Sequence, residues 1–258
     1  MSKRNKEHKV FSKDQTAASI KTISGMIKDF DTFDGEKGSR NTIKKIIIEN
    51  FSFNVKSFKV PHLINRIAYS FFRKSKANRS FEYAEILIKN GINTPKPIAY
   101  FEFSNFNFLS KSFYISNQLD YDITYRELVN NKDYPNFDII LREFTRFTFD
   151  LHEKGINFLD HSPGNTLIKR NESTKKYDFY LVDLNRMKFH QMSFKDRMKN
   201  FSKLTPRKEM VEVMANEYAK LFGESEKKIF NQMWLFTEEF QKKYHKKIAA
   251  KKKIFFWK

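Results

Sequence analysis

The chain has 258 residues, of which 40% are apolar and 29 are phenylalanine, and this composition excludes an intrinsically disordered protein. It contains no cysteine, which excludes disulfide bonds and metal sites built on thiolates. Lysine and arginine outnumber aspartate and glutamate by 49 to 30, so the formal net charge of +19 favours polyanionic partners such as anionic lipid, a phosphorylated glycolipid or nucleic acid.

The first part of the chain predicts a polar segment followed by a small antiparallel sheet. Residues 1–20 are polar and basic, and we expect them to be loosely ordered. Residues 20–30 have the spacing of a short amphipathic segment. After a turn-rich loop over residues 34–41, the runs over residues 43–48 and 53–58 predict two strands joined by a hairpin.

The loop before the first of these strands could lie over phosphate groups. Gly35 and Gly38 would let the backbone approach a phosphate, and Arg40 would add positive charge. The same G-x-x-G spacing fits an ordinary surface turn. Phosphate binding and a surface turn are therefore both open for this loop.

The second strand carries the candidate for a phosphate-binding lysine. Lys56 best matches the V-A-I-K pattern of kinase strands, so we favour it over Lys59, which strand alternation places on the other face. Its partner should be a glutamate on the next helix, which is predicted over residues 80–89. We choose Glu82, with Glu85 as the reserve. For any one lysine in so basic a chain, the competing interpretation is a solvent-exposed charge.

Two aromatic runs further along the chain predict another pair of antiparallel strands. They cover residues 98–103 and 111–116. The second run leads into the segment that would form the hinge between two lobes. Adenine would meet the backbone there, and we assign this contact to Ile115 and Asn117.

The most informative feature of the sequence is a pair of short motifs in its second half. A long amphipathic helix is predicted over residues 137–154, and Asp160 and Asn165 follow it within the run Asp-His-Ser-Pro-Gly-Asn. The run over residues 177–182 predicts a strand that delivers Asp183. This is the spacing of the catalytic loop and the metal-binding aspartate of the protein-kinase fold. Chance is the alternative, because these residue types also populate ordinary turns.

These three side chains supply the groups that phosphoryl transfer requires. Asp160 would accept the proton of the attacking hydroxyl, and Asn165 and Asp183 would be ligands of Mg²⁺. Mg²⁺ prefers oxygen ligands and usually takes only one or two from protein side chains, so this pair suffices. The Pro163-Gly164 turn would bring Asn165 beside Asp160.

The residues around these motifs resemble the lipopolysaccharide kinases. The resemblance rests on residues 91–100, 155–168 and 181–186, and it covers about residues 34–190. It implies an α+β, two-lobed protein-kinase-like fold, with a small antiparallel sheet and one main helix in the N-lobe and a mostly helical C-lobe. It also implies ATP as the donor, used with Mg²⁺. The implied acceptor is a Kdo or heptose hydroxyl of the lipopolysaccharide inner core, or a related glycolipid.

The sequence departs from the protein-kinase pattern at three positions. Phe158 stands where protein kinases carry His, Ser162 where they carry Lys, and Asn185 where the D-F-G motif has Gly. These differences argue against a regulated protein kinase. Two alternatives stay open: a kinase-fold phosphotransferase of a protein or small molecule, and a non-catalytic membrane-binding or polyanion-binding pseudokinase.

The expected organisation is an N-lobe over residues 1–118 and a C-lobe over residues 119–258, with two helices between about residues 205 and 245. Residues 241–258 contain eight lysines and no acid, as in segments that lie on anionic membranes, although a solvated helix face is the alternative. No apolar run reaches the roughly 18 residues that span a bilayer. We therefore expect a cytoplasmic protein, peripheral on the inner face of the membrane. Nucleic acid is not an expected partner, because no nucleic-acid-binding motif is visible.

Overall fold

The computed structural model describes residues 5–37, 41–58, 74–105 and 108–255. The chain divides into two compact units. The first unit contains Met1–Asp120 together with Asp183–Asn185, and the second contains Tyr121–Val182 together with Arg186–Lys258.

The first unit is built on an antiparallel sheet that has six strands in the described residues. These strands are β1 (Asn5–Phe11), β2 (Glu36–Lys37), β3 (Asn41–Ile48), β4 (Phe51–Phe58), β5 (Pro97–Asn105) and β6 (Phe108–Asn117). Their order in the sheet is β1-β5-β6-β4-β3-β2. The helices in the described residues of this unit are α1 (Ala17–Lys28), a short 3-10 helix (Phe30–Thr32) and α2 (Lys76–Lys89). The four strands predicted from the sequence are confirmed, each in a slightly longer form.

Strand alternation sends apolar side chains to both faces of this sheet. Ile46 and Val55 are buried on one face, in a cluster with Ile23 of α1. Phe58 is buried on the other face, in a cluster with Phe81 of α2. Helix α1 therefore packs on one face of the sheet, and helix α2 packs on the other.

Residues 5–20 are more ordered than we predicted when we expected residues 1–20 to be loosely ordered. β1 pairs along its length with β5, ending with Phe11 opposite Ala99. The phenyl rings of Phe11 and Phe101 pack edge to face, 5.5 Å apart. An edge strand gains its pairing from backbone hydrogen bonds, so a polar sequence can form it, and its lysines discourage pairing with other chains.

Helix α2 begins four residues before the predicted start of that helix. Ser75 is its N-cap, because the hydroxyl of Ser75 accepts a hydrogen bond from the backbone N–H of Asn78. Ser80, the predicted first residue, lies inside the helix and donates its hydroxyl to the carbonyl of Lys76. Lys76 and Arg79, which precede Ser80, are thus part of the first turn of α2.

The second unit is mostly helical. Its helices are α3 (Tyr125–Asn130), α4 (Phe137–Glu153), α5 (Phe194–Asn200), α6 (Lys208–Phe222) and α7 (Glu226–Phe255), with 3-10 helices at Pro163–Asn165 and Phe201–Lys203. Its strands are β7 (Ile123–Thr124), β8 (Ile156–Phe158), β9 (Thr166–Arg170), β10 (Tyr177–Leu181) and β11 (Met187–Phe189). They form two antiparallel sheets, β10-β9-β7 and β11-β8. The predicted helix over residues 137–154, the strand over residues 177–182 and two helices after residue 205 are confirmed.

The core of the second unit lies between α4, α6 and α7. Phe144 of α4, Met214 and Tyr218 of α6 and Met233 of α7 are buried in one cluster. Gly155 ends the α4 turn with a left-handed φ of +67°, and a side chain there would come within 2.9 Å of a backbone oxygen. This sharp turn sends the chain directly from α4 into β8, the strand that precedes the Asp160 motif.

The C-terminal helix α7 extends over 30 residues. Its first part is buried in the core, whereas residues 241–250 are largely exposed. None of the described helices combines the length and the apolar character needed to cross a membrane.

Candidate active site

The Asp160 motif forms a tight loop after β8. The 3-10 helix Pro163–Asn165 folds the chain back, and the side-chain nitrogen Nδ2 of Asn165 donates to the carbonyl of Asp160 at 2.8 Å. The backbone N–H of Leu159 donates to the carbonyl of Arg186 at 3.0 Å, which ties the loop to the start of β11. The loop therefore holds Asp160 and Asn165 together, in the manner that their spacing predicts.

Two cations flank the carboxylate of Asp160. Nη1 of Arg186 lies 3.7 Å from Oδ2, and Nζ of Lys203 lies 3.5 Å from Oδ1. Lys203 also donates to the carbonyl of Leu159 at 2.6 Å. No local sequence pattern predicts the contact of Lys203 with the loop, because Lys203 is 44 residues away from Leu159 in the chain.

A buried hydrogen-bond network supports the same loop from inside the second unit. Oδ1 of Asn200 lies 2.8 Å from Nδ1 of His161 and 3.2 Å from Nε2 of His152. The amide nitrogen of Asn200 donates to the carbonyl of Phe158 at 2.9 Å. Nδ1 of His152 lies 2.9 Å from the hydroxyl of Tyr218. Asn200, at the end of α5, thus links the base of the loop to α4 and α6.

The two histidines of this network are neutral. Since Oδ1 of Asn200 can only accept, His161 carries its proton on Nδ1 and His152 carries its proton on Nε2. Burial lowers the pKa of His152 to about 3 and the pKa of His161 to about 4. His161 is only 1% exposed, so its ring supports the loop from inside and does not face solvent.

In the first unit, Lys56 forms an ion pair with Asp183. Nζ of Lys56 lies 2.8 Å from Oδ1 of Asp183, which also accepts a hydrogen bond from Nδ2 of Asn185 at 2.6 Å. Nη1 of Arg79 on α2 donates to the carbonyl of Asn185 at 2.7 Å. Asp183 has a left-handed φ of +59°, a conformation that is uncommon outside glycine and concentrates at functional sites. Lys56 is 12% exposed, so it is not a solvated surface charge.

The predicted ion pair between Lys56 and Glu82 does not form among the described residues. The carboxylate of Glu82 instead binds Nζ of Lys74, at 2.6 and 2.8 Å from its two oxygens. The early start of α2 places Lys74 next to the helix, within reach of Glu82. The reserve choice, Glu85, is exposed, and Lys59 lies outside the described residues.

The glycine loop is described only in part, since Gly38 and Arg40 lie outside the described residues. Gly35 packs closely against β3, where a side chain would come within 2.7 Å of the carbonyl oxygen of Ile43. This close approach accounts for the glycine by itself. Contact of Gly35 with phosphate stays a prediction.

The hinge candidates lie at the end of β6. Ile115 is buried and paired with Val55 and Ala99 on the neighbouring strands. The N–H of Asn117 donates to the carbonyl of Lys96 at 2.9 Å, so this donor is already used within the first unit. The assignment of adenine contacts to Ile115 and Asn117 stays a prediction.

Asn165 and Asp183 each keep a side-chain oxygen that no described hydrogen bond or ion pair uses, and the binding of Mg²⁺ by these residues stays a prediction. The amide nitrogen of Asn165 is committed to the loop, which leaves its oxygen Oδ1 for a cation. In Asp183, Oδ1 accepts from Lys56 and Asn185, which leaves Oδ2. Both are the hard oxygen donors that Mg²⁺ prefers. No group of three or more His, Cys, Asp and Glu side chains in the described part of the chain could hold a metal ion.

The fold belongs to a known class. A solved structure described as WaaP in complex with acyl carrier protein matches 93% of this chain and 98% of its own chain, with a TM-score of 0.62 and 13% sequence identity. At this identity the likeness shows the fold alone. It confirms the predicted α+β protein-kinase-like fold.

The family follows from the sequence match. The model of the lipopolysaccharide kinase (Kdo/WaaP) family matches residues 55–224, which is more than half of the chain. The chain therefore belongs to the lipopolysaccharide kinase (Kdo/WaaP) family, and the predicted resemblance is confirmed. Because this is a kinase family, the protein is a phosphotransferase that acts on a hydroxyl group. A comparison with curated proteins finds no match.

Proposed function

We propose that the protein transfers the γ-phosphate of ATP to a sugar hydroxyl of the lipopolysaccharide inner core, on Kdo or heptose, or of a related glycolipid. The observation that carries this proposal is the 2.8 Å ion pair between Lys56 and Asp183. The chain has 49 lysine and arginine residues, most of which could be surface charges. Lys56 is instead little exposed and lies against Asp183, the aspartate that the motif assigns to metal binding. This pairing places a cation that could bind phosphate beside a carboxylate that could bind Mg²⁺, and phosphoryl transfer uses both groups.

Asp160 is the candidate general base. Its carboxylate is about one-third exposed, and the loop fixes its backbone through Asn165. In the proposed reaction it orients the acceptor hydroxyl and receives its proton as the oxygen attacks phosphorus. Arg186 and Lys203 neutralise the carboxylate and would offset the negative charge of the phosphates.

Asn165 and Asp183 are the candidate Mg²⁺ ligands, through Oδ1 and Oδ2 respectively. Bound Mg²⁺ would neutralise phosphate charge and hold the donor in a reactive geometry. Lys56 would bind the phosphates of ATP while it keeps Asp183 in place. Glu82 stays a candidate partner for Lys56, and Gly35, Gly38 and Arg40 stay candidates for phosphate contact.

Transfer of labelled phosphate from Mg-ATP to a crude glycolipid extract tests this function. Wild type and Asp160→Ala are compared with Asp150→Ala, a matched control that removes a half-exposed aspartate of α4, which forms an ion pair with Lys154. We expect label in the lipopolysaccharide fraction with wild type and the control, and none with Asp160→Ala. Nucleotide binding, measured by thermal shift, should persist in all three.

Two other outcomes would redirect the search. Label in added protein or in a small molecule, with none in the glycolipid, would contradict the proposed acceptor and leave the kinase assignment in place. Nucleotide binding without transfer to any acceptor would support a non-catalytic role for the chain.

For the C-terminal part of α7 we propose contact with an anionic membrane surface, which would place the protein on the inner face of the cytoplasmic membrane. Four exposed lysines support this: Lys242, Lys243, Lys246 and Lys247. Sedimentation with vesicles of anionic or neutral lipid tests it. Binding should require the anionic lipid, weaken with salt, and be lost when the four lysines are changed to glutamate.

Acyl carrier protein is a candidate partner, because the structurally similar WaaP was solved in complex with one. The support for this chain is the shared fold over 93% of its length. Calorimetric titration with purified acyl carrier protein tests the proposal. Absence of binding at physiological salt would contradict it.

A further inference from the structure

A guanidinium group lies directly against the catalytic loop. Gly164, between Asp160 and Asn165, leaves space that the side chain of Arg126 fills. A side chain at Gly164 would come within 2.7 Å of Nη2 of Arg126. Arg126 sits in the first turn of α3, so a structured element holds its backbone beside the loop.

Arg126 has no counter-charge in the described residues. It is exposed, and it forms neither an ion pair nor a side-chain hydrogen bond with any described group. The adjacent carboxylate of Glu127 is already used. It accepts from the N–H and the hydroxyl of Thr124, at 2.7 and 2.8 Å, in the capping box of α3.

The loop is therefore surrounded by more positive than negative charge. Arg126 lies at Gly164, while Arg186 and Lys203 both contact Asp160. The carboxylate described at this loop is that of Asp160, and it contacts Arg186 and Lys203. Arg186 and Lys203 are engaged with it, whereas Arg126 has no described partner and its whole guanidinium group can bind a ligand. A free guanidinium presents paired N–H donors that match the two oxygens of a carboxylate or phosphate.

We infer that Arg126 binds an anionic group of the acceptor, a carboxylate or a phosphate, that lies close to the hydroxyl being phosphorylated. The inference rests on the proposed function and narrows its substrate class. Kdo carries a carboxylate on its ring, whereas heptose is neutral unless a phosphate is attached to it. The acceptor is thus an acidic sugar or a phosphorylated one, and Arg126 is a residue that determines this specificity.

Steady-state kinetics with paired acceptors tests the inference. One pair is a Kdo glycoside and its carboxyl methyl ester, and the other is a heptose glycoside with and without a neighbouring phosphate. Wild type is compared with Arg126→Gln, Arg126→Lys and the control Arg170→Gln. Arg170 is also an exposed arginine of the second unit, and its only described ion-pair partner is Glu172.

Arg126→Gln should raise KM for the charged member of the accepted pair by about tenfold or more, with kcat little changed. The KM of Arg126→Lys should lie between the values of wild type and Arg126→Gln, since lysine keeps the charge and loses the paired N–H donors. The ester or the unphosphorylated sugar should be insensitive to Arg126, and Arg170→Gln should behave as wild type. The pair that responds identifies carboxylate or phosphate as the recognised group.

Equal use of charged and uncharged acceptors by wild type, or the same KM for Arg126→Gln and wild type, would overturn the inference and leave the kinase function standing. Calorimetric binding of the same compounds gives a readout without turnover. Binding of a charged acceptor that depends on Arg126, with no transfer, would support the inference and contradict the proposed function. Neither binding nor transfer would overturn both.

Discussion

Nζ of Lys203 lies 3.5 Å from Oδ1 of Asp160 and donates to the carbonyl of the preceding residue, Leu159, at 2.6 Å. Protein kinases carry a lysine two residues after the catalytic aspartate, and this chain has Ser162 there. The positive charge is present all the same. It comes from the 3-10 helix Phe201–Lys203, which follows α5 directly.

Replacing Lys203 with alanine should lower kcat by about a hundredfold, because a charge positioned to stabilise the transition state is worth roughly 3 kcal/mol. KM for ATP should change little. Lys203→Arg should recover part of kcat, since it keeps the charge beside Asp160. Lys199→Ala, which removes an exposed lysine one helical turn earlier, is the control. Equal kcat for Lys203→Ala and Lys199→Ala would show that Lys203 has no catalytic role.

Replacing Lys56 with alanine should remove most of the affinity for nucleotide. The carboxylate of Asp183 would lose its nearest cation and keep only the hydrogen bond from Asn185. We expect the thermal stabilisation of wild type by Mg-ATP to disappear, since stabilisation follows ligand affinity. Lys45→Ala, on the exposed side of β3, should retain it. A full thermal shift in Lys56→Ala would exclude Lys56 from the nucleotide site.

The parts of the site that the sequence could predict are local in the chain. The hydrogen bond from Asn165 to Asp160 spans five residues and depends on a Pro-Gly turn, so the motif itself encodes it. The choice of Lys56 also needed only local sequence, because it rested on the match to the V-A-I-K strand pattern, and strand alternation places Lys56 on the same face as Phe58. The centre of the Phe58 ring is 5.6 Å from Nζ of Lys56.

The parts that the sequence could not predict are contacts between distant segments. Asn200 lies 42 residues from its partner Phe158, and Lys203 lies 44 residues from Leu159. No periodicity relates such positions, so only the packing of α5 brings them to the loop. The contact of Glu82 with Lys74 was also not predicted, because it depends on a helix start four residues before the predicted one.

The buried histidines make the second unit sensitive to acid. Their folded-state pKa values, about 3 for His152 and about 4 for His161, lie below the usual value of 6.5. The unfolded chain therefore binds more protons in this range, and stability falls as pH drops from about 6.5 toward 4. At pH 5 each histidine should lower the free energy of unfolding by about 2 kcal/mol.

Urea unfolding followed by the fluorescence of Trp234, at pH 7 and pH 5, checks this dependence. His152→Gln should lose stability at pH 7 and depend less on pH than wild type. His190→Gln is the control, since His190 is exposed. An unchanged pH slope in His152→Gln would mean that other groups cause the acid sensitivity.

The order of the N-terminal strand predicts a specific role for Phe11. Its ring packs edge to face on Phe101 of β5, at 5.5 Å, at the end of the β1–β5 ladder. Phe11→Ala should lower the free energy of unfolding of the first unit by about 1 to 2 kcal/mol, less than for a fully buried ring. Phe51→Ala is the matched control, because that ring is 65% exposed, and it should cost under about 0.5 kcal/mol. Hydrogen exchange of the β1 and β5 amides measures the effect of both substitutions, since these amides exchange faster when the strand pair opens more often. Equal protection in the two variants would show that β1 is held by its backbone hydrogen bonds and not by Phe11.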